Sequence, residues 1–234
     1  MYSLAHNTPW KLFALNIMFM WTGYFLQSSA LIYYYKYYIG SVALSSLVAT
    51  IMTMIPMAAN LTVPFLAKRL GKRNLYSSAA AVQLAGLAVI LLADMNTQLI
   101  LVGAVISACG YGVKESIYFS MRADPVDYGE WKTGIQAAGT LSSINGFLGK
   151  VAQAAAGGIS GVLLAWGSYQ EAAAVQTAEA LFVIKAMYLY IPMILLVFSI
   201  ITMAFYKLDS QFSEIQSELT RRRNAQKNPN KSEI

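Results

Sequence analysis

The chain has 234 residues, of which 57% are hydrophobic and only 12% charged, with a mean hydropathy of +0.49. Soluble domains carry about a quarter charged residues, so this balance excludes an ordinary soluble domain and predicts an all-α integral membrane protein. The single cysteine, Cys109, excludes an internal disulfide and any multi-cysteine metal site.

Residues 1–9 form an N-terminal segment that holds the one histidine, His6, read as a solvated residue. No signal peptide is expected, because the first basic residue, Lys11, follows ten uncharged positions. Six apolar segments follow, at residues 10–38, 42–66, 75–93, 99–121, 136–166 and 180–206. Each reaches the roughly 20 residues needed to cross a hydrocarbon core. The first carries Asn16 and Gln27 and ends in Tyr33, Tyr34, Tyr35, Tyr37 and Tyr38 around Lys36, read as an aromatic belt at the membrane interface. The second is followed by the basic loop KRLGKR, Lys68 to Arg73. The third has no charge between Leu75 and Ala93 and is expected to face lipid.

The fourth segment places Lys114 and Glu115 side by side, about seven residues or roughly 10 Å from its inner end. Adjacent residues point about 100° apart on a helix, so each needs its own partner. Next comes RADPVDYGEWKTG, Arg122 to Gly134, where Asp124, Asp127 and Glu130 stand among Arg122 and Lys132. Pro125 is expected to stop the fourth helix, and Gly129 and Gly134 to permit turns. No histidine is near and the spacing matches no calcium loop, so no metal is expected. The fifth segment carries Asn145, Lys150 and Gln153, with Gly146, Gly149, Gly157, Gly158 and Gly161. Gly157 and Gly161 form a G-x-x-x-G pair that permits close helix packing. Lys150 lies about 13 residues into its helix, roughly 20 Å deep, too far to snorkel. The sixth segment, with only Lys185 near its outer end, is expected to face lipid. In the basic tail, residues 207–234, Leu208, Phe212, Ile215 and Leu219 recur at helical spacing and predict an amphipathic helix on the membrane surface, with disorder beyond Arg221.

Of the 17 basic residues, 13 fall at the two termini and in the second-to-third and fourth-to-fifth loops. The positive-inside rule then places both termini in the cytoplasm, as for a multi-pass protein of the cell inner (plasma) membrane. The same placement assigns the net charge of +6 to anionic lipid and leaves none for nucleic acid. Ionisable groups inside spans are costly and mark interior or functional positions, so the first, fourth and fifth segments are expected to share a wet interior. No nucleophile–base constellation appears, and no enzyme is expected.

The string ADPVDYGEWKTG closely resembles the signature between helices ten and eleven of the glycoside–pentoside–hexuronide:cation symporters, the melibiose-permease family, which usually reads A-D-x-V-D-Y-G-E-W-K-T-G. Asn7-Thr8-Pro9-Trp10 is similar to that family's entry to helix seven, and ALIYYYKYY, Ala30 to Tyr38, to the outer end of that helix. KRLGKR is similar to the basic loop of the wider major facilitator fold, with Lys68 in place of its usual aspartate.

The resemblance implies a six-helix half of a major facilitator fold, helices seven to twelve, belonging to a sugar symporter that works by alternating access. It implies substrate or coupling roles for Lys150, Asn145, Glu115, Lys114 and Gln27. It implies a cytoplasmic gate formed by Asp124, Asp127, Tyr128, Gly129, Glu130, Trp131, Lys132 and Gly134. Lys150 matches the family's helix-eleven lysine. Glu115 stands where some members carry an aromatic, and Gln136 and Ala138 where several carry Arg and Glu, so a salt bridge of those relatives is expected to be missing. The family's cation-site aspartates lie in the other half. No cofactor is therefore expected, and Na+ or H+ would couple only with an N-terminal half present. The expected partners are lipid, a sugar or glycoside, and an N-terminal half or a second copy. The alternative is a transport-inactive truncated paralogue or membrane scaffold.

Overall fold

A computed structural model describes residues 7–135, 138–171, 173 and 175–227. His6, Gln136 and the tail beyond residue 227 lie outside the described residues. The described chain is helical. The Asn7 side chain accepts a hydrogen bond from the Trp10 amide (3.0 Å) and starts α1, Thr8–Tyr33, which continues into a π-helical turn, Tyr34–Tyr38. Ser41 caps α2, Val42–Asn60. The expected second span is interrupted at Leu61 and Thr62, where Pro64 opens a separate short helix, α3, Val63–Leu70. Gly71, with φ +76°, ends α3 and leads into α4, Lys72–Leu92. Asn96 caps α5, Thr97–Met121.

The signature segment is a helix, not a loop: α6 spans Asp124–Thr133. Pro125 sits in its first turn, where the missing N–H costs nothing. Gly129 is therefore a buried helical residue and does not form a turn, whereas Gly134 does, at φ +71°. The fifth long helix, α7, covers Ala138–Trp166. The last membrane helix is α8, Ala178–Lys185, a π-helical turn Ala186–Tyr190, and α9, Ile191–Ala204. A 3-10 turn at Leu208–Ser210 precedes α10, Phe212–Lys227.

Five helical stretches are long and apolar enough to cross a membrane. The remaining one, α1, has the length at 26 residues, but Lys11, Asn16, Thr22 and Gln27 dilute it. It is sheltered instead by its neighbours. In space the order runs α7, α1, α9, α4, α5, α2, with α2 touching α1 again. Asn16 is quenched at the centre. Ser199 Oγ donates to Asn16 Oδ1 (2.6 Å) and Asn16 Nδ2 donates to the Tyr76 hydroxyl (3.1 Å). The Tyr76 and Ser199 hydroxyls lie 2.8 Å apart, and all three residues are 0% exposed. This knot ties α1, α4 and α9 together.

The tightest crossing is α4 on α5, through Gly86, Gly103 and Gly110. A methyl at Gly103 would sit 2.7 Å from Ile90 and 2.8 Å from the Gly86 carbonyl. Gly112 likewise admits α2, since a methyl there would stand 2.6 Å from Pro56 Cα. By contrast, Gly146, Gly149, Gly157, Gly158 and Gly161 of α7 have nothing within 4 Å of a Cβ. The expected close packing at Gly157 and Gly161 is absent among the described residues. The helix leans on α1 by its opposite face, where Ala152 and Ala156 are buried, and leaves these glycines uncovered.

Two further expectations change. Tyr34 and Tyr35 are core residues, stacked on or crossing Tyr188, and do not anchor at the interface. The tail helix α10 extends past Arg221 to Lys227, and its Ile215 and Leu219 are buried against the protein, chiefly α6, and not on a membrane surface.

A polar cleft and a clamped end as candidate functional site

A cleft of about 180 Å³ opens between α1, α2 and α5, with Tyr24, Gln27, Met52, Thr53, Tyr111 and Gln83 among its walls. The rings of Tyr24 and Tyr111 stack with centroids 5.1 Å apart and planes at 10°. Behind Tyr24, Gln27 and Gln83 lies a small void of about 10 Å³ that Lys114 also lines. Lys114 is 2% exposed. Its ammonium donates to Gln83 Oε1 at 2.6 Å and lies 5.5 Å from the centre of the Tyr111 ring. Glu115, half-buried, accepts from the Tyr111 hydroxyl at 2.9 Å. The two adjacent charges thus find separate partners, as their 100° divergence requires. Gln27 is 9% exposed and its Nε2 has no partner among the described residues. Such a donor, buried at a cleft wall, is left for water or a bound group to satisfy. The wall therefore offers aromatic faces and amide groups, with Lys114 and Glu115 bonded to Gln83 and Tyr111 of that wall.

Sequence reasoning found Gln27, Lys114 and Glu115 and missed Tyr24, Gln83, Tyr111 and Tyr188. Gln83 had a signal: it is the one amide in the otherwise apolar middle of α4. The aromatic residues had none, because tyrosine is abundant throughout.

Asn145 and Lys150 do not join this cleft. Asn145 is buried and accepts from Trp10 Nε1 at 3.2 Å, which fixes the start of α1 to α7. Lys150 is exposed on the glycine-bearing helix and makes no hydrogen bond or ion pair among the described residues.

The residues of the signature gather at the basic end of the bundle. Asp124 is buried and accepts both 2.7 Å and 2.9 Å bonds from Lys72 Nζ, which also lies 4.8 Å from the centre of the Phe212 ring. Asn7 Nδ2 donates to the Pro125 carbonyl at 2.6 Å. Glu130 takes a forked pair from Arg223, at 2.6 Å and 3.2 Å, and Asp127 lies 3.6 Å from the same guanidinium. Arg222 Nη1 donates to the Trp131 carbonyl at 3.1 Å. Tyr128 packs on Trp131 with centroids 5.9 Å apart, and Lys132 stands over the Tyr128 ring. One short helix is thereby held by three other segments: the start of α1, the start of α4 and the tail.

A family of transporters described as MFS/sugar transport protein matches residues 1–210. The chain belongs to that family. Among curated relatives, it is 30% identical over 228 residues to the isoprimeverose transporter of Lactiplantibacillus pentosus, covering 97% of this chain and 47% of the relative. It is 26% identical over 227 residues to the glucuronide carrier protein homolog of Escherichia coli, covering 96% and 50%. It is 28% identical over 194 residues to a putative sulfoquinovose importer of Salmonella typhimurium, covering 82% and 41%. The chain spans about half the length of the curated relatives it matches. It is thus a multi-pass member of a sugar:cation symporter family, a transporter family and not an enzyme family.

Proposed function

We propose that the chain acts as the C-terminal, six-helix half of a sugar:cation symporter that works by alternating access in the cell inner membrane, with both termini cytoplasmic. The observation that carries this reading is the pairing of an open polar cleft with an uncovered α7 face bearing Lys150. An ammonium far from water demands a counterpart, and none stands among the described residues of this chain. The counterpart is then a carboxylate of an N-terminal half, which also supplies the site for Na+ or H+.

In this reading Tyr24 and Tyr111 stack on a sugar ring, and Gln27 and Gln83 hydrogen-bond its hydroxyls. Lys114 and Glu115 set the local charge, and α6 is the inner gate. The names of the relatives support a glycoside, pentoside or hexuronide as substrate. Uptake of radiolabelled sugars, with and without sodium, tests the reading in cells expressing this chain alone and with an N-terminal half. Uptake is expected only with both halves, and Lys150→Val is expected to abolish it while the protein still inserts. Full uptake by the chain alone, or by the Lys150→Val pair, overturns the reading.

A further inference from the structure

A second groove serves no part of the transport reading. It lies between α3, α4 and α5, has a volume of about 230 Å³, and is walled by Leu66, Leu70, Leu75, Val82, Cys109 and Val113. Seven residues separate Leu75 from Val82, about 10 Å along α4. The groove exists because α2 stops at Asn60 and the chain restarts as α3, so no long helix covers this side of the α4–α5 pair. Its end at Leu70 coincides with the basic end of the bundle. There Lys68 and Arg69 occupy the last turn of α3, exposed, with no ion pair among the described residues.

Their neighbours are engaged. Lys72 is bonded to Asp124, and Arg73 donates to the Ala204 carbonyl at 2.5 Å. Of the nearby acids, Asp124 is taken by Lys72, and Glu130 by Arg223. The Asp209 carboxylate accepts from the Arg73 amide at 3.2 Å. Neither cation lines the groove, but both stand on the last turn of the helix that walls it, Arg69 beside Leu70 and Lys68 on the turn's other face. An apolar groove beside such a turn complements an amphiphile with hydrocarbon at one end and negative charge at the other. We propose that this groove is a binding site for an anionic phospholipid of the surrounding bilayer, its acyl chain lying along Leu75, Val82 and Cys109 and its phosphate held by Lys68 and Arg69.

The test uses the full chain, purified in detergent and titrated with dioleoyl phosphatidylglycerol or dioleoyl phosphatidylcholine, with bound lipids counted by native mass spectrometry. Phosphatidylglycerol is expected to be retained in preference, and to bind about fivefold more weakly for each charge lost in Lys68→Gln/Arg69→Gln. Arg221→Gln, a basic residue of the same end but remote from the groove, is expected to bind as the parent does. Cys109→Phe fills the groove and is expected to release both lipids, and Val82→Trp blocks it from the exposed rim should the first variant fail to fold. Equal retention of the two lipids overturns the proposal. So does an equal loss in Arg221→Gln, which would indicate diffuse charge attraction, and so does unchanged binding with the groove filled.

Discussion

At the scale of single residues, the interior amides bear more of the design than the charges that first draw notice. Lys114 is held by a neutral acceptor, Gln83, on another helix. Gln83→Leu strands a buried ammonium and is expected to cost about 1–3 kcal/mol, read as reduced thermal stability in detergent. Lys114→Met/Gln83→Leu is expected to recover part of that loss, so that a double-mutant cycle gives a coupling of about 1 kcal/mol. Additive losses would refute the contact. Tyr76→Phe removes the centre of the Asn16–Ser199 knot and is expected to cost about 1–2 kcal/mol by the same measurement. Lys114 and Glu115 were legible in the sequence because a charge in an apolar run is costly wherever it lands. Gln83 was not legible in the same way, because a single amide in an uncharged span costs far less to bury than a charge. Asn145 was legible as a polar residue but not as a structural one, since its partner Trp10 lies 135 positions away.

Among the helices, glycine content alone misled. The G-x-x-x-G pair of the fifth segment permits close packing, yet its glycines face open space, while Gly86, Gly103 and Gly110 form the tight crossing. Spacing shows where a helix has a smooth face, not whether this chain supplies the surface that meets it. The contrast yields a paired expectation. Gly110→Ala presses a methyl onto the backbone of Gln83 and is expected to destabilise by about 1–3 kcal/mol. Gly157→Ala meets nothing and is expected to stay within about 0.5 kcal/mol. Chemical denaturation in detergent measures both, and equal effects would show that α7 is covered after all. The number and order of long helices followed from apolar run length, a strong signal in lipid. The break at Leu61 and Thr62 and the helical state of α6 did not, because Pro64 lies inside an unbroken apolar run and Pro125, which stops one helix, also stands in the first turn of the next.

For the whole molecule, the tail is part of the bundle's basic end. Arg223 occupies Glu130 and Asp127, the same acids expected to serve the gate. The ion pair is exposed and adds little stability, so Arg223→Ala is expected to leave the melting temperature nearly unchanged. It should, however, speed amide exchange in α6 and α10, seen by deuterium uptake, and added salt should do the same to the parent. Unchanged exchange would mean that Ile215 and Leu219 alone seat the tail. A final consequence concerns synthesis. Asn16, in α1, takes a hydrogen bond from Ser199, made 183 residues later. At about 5–20 residues per second that is a wait of roughly 10–40 s, during which the least apolar helix holds an amide without its mate. The nascent chain must therefore keep α1 in the insertion machinery, or at the lipid boundary, until α9 arrives, so that a helix made early is seated only by one made late.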